Sequence, residues 1–271
     1  MDDTRARVAQ VPAPHPDRPA SSLGPGRRRD DEERTGDEKG GSVEAVADLS
    51  PAALQKLLAW LSPSFPVGAY TYSHGLEWAI EDGTITNAET LVAWIADVLA
   101  HGGGRNDAIL FAAAYRSEGV ALRAIAELGA AFQPSKERHL ETTAQGRAFL
   151  SAALSAWPNA RLAAAEAALA GADVPYPVAV GAAAAAHDVP LNAALTATLS
   201  AFVANIVSAG VRAIPIGQSD GQRTIARLTP HVAATAATCL NLTLDDLGGA
   251  ALRADIASMK HETQYTRLFR S

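Results

Sequence analysis

The feature that most constrains the fold is the long stretch VPLNAALTATLSAFVANIVSAGV, Val189–Val211, which contains no charged side chain. A helix of this length could cross a bilayer. However, polar residues interrupt it from Asn192 to Ser208, and its leucines recur at helical spacing beside a second stripe of alanines. This pattern favours a helix surrounded by other helices over a membrane span. We therefore expect the chain to fold around a central apolar helix.

Helix signals also dominate the surrounding sequence. Ser50-Pro51 is typical of a helix start, Thr86 and Glu89 have capping-box spacing, and Gly102 is placed to end a helix. Alanine is abundant, β-branched runs are rare, and no convincing strand pattern occurs. Further helices are predicted at residues 105–118, 135–157, 160–170 and 176–187. The sequence therefore predicts an all-α fold, a single-domain helical bundle.

Residues 1–48 differ in composition from everything that follows. They carry eleven acidic residues, eight basic residues and no aromatic residue. Such a segment cannot bury enough apolar surface to offset the entropy lost on ordering. We predict a disordered, charged N-terminal extension at residues 1–48 and one all-helical domain at residues 49–271.

Composition and motifs exclude several classes of function. The formal net charge of −6 argues against a nucleic-acid partner. Cys239 is the single cysteine, so no disulfide can form within the chain, and a cytoplasmic location is expected. No P-loop motif occurs. HGGG at His101–Gly104 is like an esterase oxyanion loop, but a nucleophile elbow needs a strand-to-helix turn and no strand is predicted, so glycines that end a helix are the preferred interpretation.

Two stretches stand out from the alanine-rich background. The first is SPSFPVGAYTYSHGLE, Ser62–Glu77, whose prolines predict a tight turn and a helix entered near Ser73. Its cluster of Tyr70, Tyr72 and His74 is typical of a recognition surface rather than of a turn alone.

The second unusual stretch is the C-terminus. Tyr265 and Phe269 lie four residues apart beside Arg267, and arginine and aromatic residues are enriched at interface hot spots. A terminal helix that docks only on its own domain is an alternative of equal weight.

Five blocks of the sequence resemble the UreF family of urease accessory proteins. They are SPSFPVGAYTYSHGLE (Ser62–Glu77), ETTAQGRAFL (Glu141–Leu150), PYPVAVGAAAAAH (Pro175–His187), AGVRAIPIGQSDGQR (Ala209–Arg223) and DDLGGAALRADIASMKHETQYTRLFRS (Asp245–Ser271). The resemblance runs from about residue 52 to the end of the sequence. It implies an all-α homodimer without catalytic activity, a chaperone for nickel insertion that binds no cofactor tightly itself.

The resemblance also implies partners and the residues that meet them. Members of the family bind a UreD-type (UreH-type) accessory protein and recruit a nickel-carrying UreG-type GTPase, and the assembly delivers nickel to apo-urease. By resemblance, the UreD-type partner would contact His261, Glu262, Tyr265, Arg267 and Phe269. A surface that faces the GTPase or organises the partner tail would contain Tyr72, His74 and Glu77. Further partner contacts would come from Gln218, Gln222 and Arg223.

Two alternatives to a pure adaptor remain open. One is a direct nickel-binding metallochaperone in which His74 or His261 provides a ligand at a dimer axis. These histidines are weak candidates, because no two histidines of the chain lie within one helical turn and a hydrogen-bonded structural role is more common. The other is modulation of the partner GTPase by Arg223, acting in trans as an arginine finger does.

Overall fold

The computed structural model describes residues 49–270, apart from the side chain of Thr71. Within these residues it contains helices and no strand, which confirms the all-α prediction. The predicted extension at residues 1–48 lies outside the described residues. The helices are α1 (Pro51–Trp60), α2 (Leu76–Glu81), α3 (Ala88–His101), α4 (Gly103–Tyr115), α5 (Gly119–Ala131), α6 (Lys136–Ala156), α7 (Ala160–Ala168), α8 (Tyr176–Ala186), α9 (Leu191–Ala213), α10 (Gln218–Cys239) and α11 (Leu252–His261). Short 3₁₀ turns occur at Ala69–Thr71 and Leu244–Asp246.

Side-chain caps fix where the first helices begin. The Ser50 hydroxyl accepts a hydrogen bond from the Ala53 amide, as the Ser-Pro start predicts. The predicted capping box at Thr86 is displaced by one residue, because the Asn87 side-chain oxygen accepts from the amides of both Glu89 and Thr90. An asparagine at the N-cap satisfies two orphan donors that the threonine before it cannot reach.

Helix α2 begins two residues later than the sequence predicts. Its N-cap is Gly75, which has a left-handed backbone with φ of 76°. The hydroxyl of Ser73, the predicted start, still accepts a hydrogen bond of 3.4 Å from the amide of Glu77. The chain therefore turns twice before the helix, which brings Glu77 into the first turn of α2.

The sequence analysis missed α5, and it extended α4 through residue 118. Helix α4 ends at Tyr115, and α5 starts at Gly119 with no side-chain cap on Glu118. Gly119 has a φ of 56°. The separation of the two helices thus depends on a backbone conformation that glycine permits. No capping motif in the sequence predicts it.

Helix α8 is the most completely enclosed of the helices, since nine of its eleven residues are buried. It packs mainly between α4 and α6. A Cβ atom on Gly181 would lie 2.6 Å from the carbonyl oxygen of Phe111 on α4, so glycine allows the two backbones to approach closely. The alanines of this segment carry no functional motif, but their small side chains allow tight helix packing.

The charge-free segment forms α9, which runs along α10 and also contacts α4. Among the described residues it is the one helix long and apolar enough to cross a bilayer, and eight of its 23 residues are buried in the bundle. Leu195, Leu199 and Ile206 provide its buried face. The burial of this face against other helices is typical of a core helix in a globular domain.

Candidate functional site

The two unusual stretches of the sequence meet in space. Helix α11 packs on α2, and a Cβ atom on Gly75 would lie 2.6 Å from the backbone nitrogen of Ser258. The side chain of the same Ser258 reaches the start of α6, where its hydroxyl lies 2.6 Å from the hydroxyl of Ser135. Glycine at residue 75 is thus a condition for α11 to reach both α2 and the start of α6.

Glu77 is the centre of the contact. One carboxylate oxygen, Oε1, accepts a hydrogen bond of 2.6 Å from the backbone amide of Leu268. The other, Oε2, accepts one of 2.9 Å from the amide of Phe269 and lies 3.2 Å from Nε2 of His261. The Glu77 side chain is buried, so these partners replace the water that a carboxylate would otherwise bind.

His261 is fully buried between two carboxylates. Its second ring nitrogen, Nδ1, lies 2.6 Å from Oε2 of Glu137, which belongs to the first turn of α6. The other oxygen of Glu137 accepts a hydrogen bond of 2.7 Å from Arg267. The residues after α11, 262–270, are therefore tied back to α2 and α6, and we call them the C-terminal strap.

The strap buries one aromatic ring and exposes the other. Phe269 is buried, and the Arg212 guanidinium lies 4.5 Å from the centre of its ring, within cation–π range. Arg212 also donates a hydrogen bond to the backbone oxygen of Tyr70. By contrast, Tyr265 is fully exposed and Leu268 is 71% exposed. The strap is thus anchored on one side and presents apolar groups on the other.

Helix α11 continues this exposed apolar surface. Leu252, Ile256 and Met259 are 50% exposed or more, and their spacing places them on one helix face. We call these three residues with Tyr265 and Leu268 the C-terminal apolar face. A group of large apolar side chains left exposed next to arginines is typical of a protein–protein contact surface.

His74 lies in a second cluster, separate from the strap. Its Nε2 is 3.1 Å from Glu141 and 3.3 Å from Arg138, and its ring packs edge-on against Phe202. Burial, and then the positive charge of Arg138, lower the pKa of His74, while Glu141 acts in the opposite direction. His74 is therefore a neutral ring at neutral pH.

Asp107 shares this second cluster. Its carboxylate lies 3.9 Å from the Arg138 guanidinium, which also forms a 2.5 Å ion pair with Glu141. Burial raises the pKa of Asp107 to about 6, and the Glu141 charge adds to the rise while Arg138 opposes it. This carboxyl thus titrates near the physiological range.

The second cluster lines a cleft of about 220 Å³. The rest of the lining is largely apolar, and α9 contributes Ala201, Phe202 and Ala204 to it. Trp60 also borders the cleft, and its indole nitrogen is buried without a hydrogen-bond partner. A concave site with an apolar wall and a few charged groups is suited to hold a side chain or a small molecule.

The structure brings together only some of the site residues predicted from the sequence. Glu77, His261, Arg267 and Phe269 meet at the strap. Glu262 is nearby, where it accepts a hydrogen bond of 2.8 Å from the Lys136 amide. Tyr265 extends into solvent from the same segment. The C-terminal stretch thus docks on its own domain and still exposes part of itself.

The remaining predicted residues lie elsewhere. Tyr72, two residues before His74, is half-buried. In the part of the chain that the structure describes, no hydrogen bond links it to Glu77. Gln218, Gln222 and Arg223 are exposed on the first turns of α10, where Arg223 pairs with Asp220. Among residues 49–270, no hydrogen bond or ion pair of these three side chains reaches the strap.

Several residues of the two clusters were not predicted. Glu137 completes the His261 site from 124 positions away, and in the sequence it looks like an ordinary acidic residue in a helix start. Arg212 and Asp107 gave no signal either. Gly75 could have been found, because a glycine that directly follows His74 in an unusual stretch indicates a special backbone conformation.

The metal and esterase candidates can be placed as well. No group of three or more histidine, cysteine or acidic side chains within residues 49–270 has an arrangement that could hold a metal ion. Both ring nitrogens of His261 face carboxylates, and Nε2 of His74 is engaged by Glu141 and Arg138. His101–Gly104 is the junction between α3 and α4, where the His101 carbonyl accepts from the amide of Ala250.

Comparison with known proteins gives the family. The sequence model of the UreF family matches residues 85–229. A urease accessory protein UreF of Rhodopseudomonas palustris (strain BisB18) is 56% identical over 231 residues, which is 84% of this chain and 95% of that protein. The proteins of the same name from Bradyrhizobium diazoefficiens and Xanthobacter autotrophicus are each 54% identical, over 83% and 87% of this chain and 95% and 97% of theirs. The chain belongs to the UreF family of urease accessory proteins, which act in urease maturation and are not enzymes.

Proposed function

We propose that the chain is an adaptor that joins a UreD-type accessory protein to a UreG-type GTPase, so that the assembly delivers nickel to apo-urease. The observation that carries the proposal is the strap, which two hydrogen bonds tie to Glu77 while Tyr265 and Leu268 are exposed. A segment ordered before binding loses less entropy when a partner docks. The geometry therefore suits a scaffold that holds other proteins in register.

The C-terminal apolar face is the proposed docking site for the UreD-type protein. Five large apolar side chains are exposed there, and Arg267 adds a donor that is 41% exposed beside them. His261, Glu262 and Phe269 support this face from within, because they are bonded or buried against α2 and α6. In this proposal they contribute to partner binding by positioning the exposed residues.

A pull-down of the UreD-type protein tests this docking site. The double substitution Tyr265→Ser and Leu268→Ser should reduce recovery of the partner at least tenfold, since exposed aromatic and apolar anchors dominate interface energies. Val120→Ser on α5 is the matched control, because Val120 is also largely exposed but belongs to another helix. Equal recovery with both variants would place the partner elsewhere.

The UreG-type GTPase is proposed to contact the start of α10, where Gln218, Gln222 and Arg223 are exposed. GTP turnover by the GTPase, with and without the chain and with Arg223→Ala, tests both recruitment and modulation in trans.

The alternative of direct nickel binding has less support, since both ring nitrogens of His261 already face carboxylates. Titration calorimetry with nickel is its test, and heat lost in His74→Ala or His261→Ala would favour it.

A homodimer is proposed through the surface around the cleft. Leu54 and Leu58 are exposed one turn apart on α1, and Tyr70 is exposed beside the cleft. The small residues of α9 would let a second copy approach closely. Light scattering should give twice the monomer mass, and Leu58→Glu should lower the measured mass toward that of the monomer.

The single cysteine supports a cytoplasmic location for the assembly.

A further inference from the structure

The cleft next to the second cluster has room for a small ring compound. Its volume of about 220 Å³ exceeds the roughly 150 Å³ of an apolar protein cavity that holds benzene. Five aromatic side chains line it: Trp60, Tyr70, Phe111, Tyr176 and Phe202. Trp60 and Phe111 are fully buried and Tyr70 is exposed, so the aromatic lining extends from the core to the surface. A ligand about as large as a substituted benzene ring therefore fits the space.

Most of the charged groups in the lining are already paired with one another. Oε1 of Glu141 accepts a hydrogen bond of 3.0 Å from Gln145, and Oε2 accepts one of 2.5 Å from Arg138. Nε2 of His74 lies 3.1 Å from the same carboxylate. These contacts satisfy Glu141 and fix the Arg138 guanidinium against it.

Asp107 is the exception among these groups. Its carboxylate lies 3.9 Å from Arg138, beyond hydrogen-bond distance, and it accepts no hydrogen bond from any of the residues that the structure describes. Burial raises its pKa to about 6, because the Arg138 charge only partly offsets the loss of water. A cationic donor that enters the cleft would therefore stabilise this carboxylate.

The lining also carries more negative than positive charge. Asp107 and Glu141 are carboxylates, Arg138 is the single lysine or arginine among the described lining residues, and His74 is neutral. A further acid, Asp255 of α11, lies within electrostatic range of Arg138, and burial raises its pKa. A cationic ligand balances these charges, whereas an anion would be repelled.

The rest of the lining favours an organic cation over a metal ion. Oxygen-binding metal ions take several ligands at once, and no acidic, histidine or cysteine groups within residues 49–270 are arranged to supply three. Aromatic rings, by contrast, attract organic cations. We propose that the cleft binds a small organic cation, an ammonium, guanidinium or amidinium group on an apolar body, and that Asp107 receives its charge. The buried Trp60 N–H, which has no partner among the described residues, can donate to an acceptor on that body.

Titration calorimetry of the full chain with benzamidine tests this site at pH 8, where Asp107 is ionised. Benzamidine is an amidinium on a benzene ring, and benzamide is its uncharged analogue of the same shape. We expect a dissociation constant of about 1 mM or lower for benzamidine, and binding of benzamide at least about tenfold weaker. Equal affinities for the two compounds, or no binding of benzamidine at about 10 mM, would overturn the proposal.

A pair of aspartate variants identifies the group that receives the charge. Asp107→Asn keeps the shape of the side chain, so it should weaken benzamidine binding at least about tenfold and leave benzamide binding nearly unchanged. Asp97→Asn, on the exposed face of α3 and outside the lining, is the matched control and should bind benzamidine as the wild type does. An unchanged affinity of Asp107→Asn for benzamidine would overturn the assignment to Asp107.

A pair of alanine variants tests the location by volume rather than by charge. Ala204→Leu enlarges a side chain of α9 that lines the cleft, so it should weaken the binding of both compounds. Ala193→Leu, half-buried on the same helix but outside the lining, should weaken neither. Equal affinities of the two variants for benzamidine would overturn the placement of the site in the cleft.

Lysine and arginine side chains carry the same chemistry, so a second copy of the chain is another source of the cation. Light scattering in saturating benzamidine separates the two sources. An unchanged mass supports a free small molecule, and a fall toward the monomer mass would overturn that assignment in favour of a side chain from the second copy. Because the binding measurements need no partner protein, their failure would leave the adaptor proposal standing, and failure of the pull-down would leave the cleft site standing.

Discussion

Two histidines, 187 positions apart in the sequence, occupy different electrostatic environments. His261 lies between the carboxylates of Glu77 and Glu137. His74 lies against both Arg138 and Glu141, and burial together with Arg138 lowers its pKa. The same residue type thus bridges two carboxylates in one place and lies beside an ion pair as a neutral ring in the other. The difference teaches that the neighbours of a histidine decide its role together with its burial.

The two clusters also differ in how completely they are closed. The strap cluster satisfies both oxygens of Glu77 and both nitrogens of His261 within the chain. The cleft cluster adjoins an open volume, and its Asp107 has a pKa raised to about 6. The strap cluster is therefore organised to hold a structure, whereas the cleft cluster retains an acidic group in an unfavourable environment.

The largest effect on stability is expected from Gly75→Ala, which disturbs the packing of α11 on α2 beside the strap cluster. The new Cβ would lie 2.6 Å from the Ser258 backbone nitrogen, and a φ of 76° is unfavourable for alanine. We expect a loss of about 3–4 kcal/mol in the free energy of unfolding, measured in urea. Gly83→Ala is the matched control, because Gly83 has a φ of 80° but no atom within 4 Å of its Cβ position. It should cost about 1 kcal/mol, and a similar cost at both sites would contradict the close packing of α11.

Glu77→Gln should have the next largest effect. The amide side chain keeps the shape but replaces one acceptor by a donor, which faces either a strap amide or His261. We expect a loss of about 2–3 kcal/mol, together with faster exchange of the Leu268 amide. Glu166→Gln, an exposed substitution on α7, should change stability by less than about 0.5 kcal/mol. If the two variants were equally stable, the strap cluster would not be the closed site described above.

Asp107→Asn should stabilise the protein at alkaline pH. The folded state raises the pKa of Asp107 from 3.8 to about 6, so its ionised form destabilises the fold above about pH 6. Removing the charge should therefore add about 1–2 kcal/mol to the unfolding free energy at pH 8, with the gain disappearing below about pH 4. Urea titrations at the two pH values measure this, and a destabilisation that is the same at both would show that the pairing with Arg138 dominates.

The smallest effect is expected from His74→Gln. Glutamine keeps a polar group beside Glu141, and the wild-type ring is neutral at pH 8, so the cost there should be at most about 1 kcal/mol. The lowered pKa of His74 means that its contribution is present above its unfolded pKa and is lost as the pH falls through the folded value. The variant should thus approach or exceed the wild-type stability in acid. A larger cost at pH 8 than that of Glu77→Gln would reverse the comparison.

Local sequence signals predicted much of the helical framework. Ser50 and Pro51 mark the start of α1, and Gly102 marks the end of α3, because caps act over three or four residues. The same reasoning failed for α5, whose start has no side-chain cap. Among the residues that meet at the strap, His261 and Glu77 stood out in the sequence, but neither Glu137 nor Arg212 did.

The sequence by itself determined that this chain is helical, that it has two exceptional stretches, and that it resembles one family. These properties depend on helix propensity, capping residues and sequence motifs, all of which involve residues that are close together in the sequence. Only the tertiary structure decided that the two stretches meet, that Glu77 binds the strap, and that His261 and His74 have different partners. A hydrogen bond between residues 184 positions apart leaves no periodicity or local pattern, because the distance is set by how α2, α6 and α11 pack.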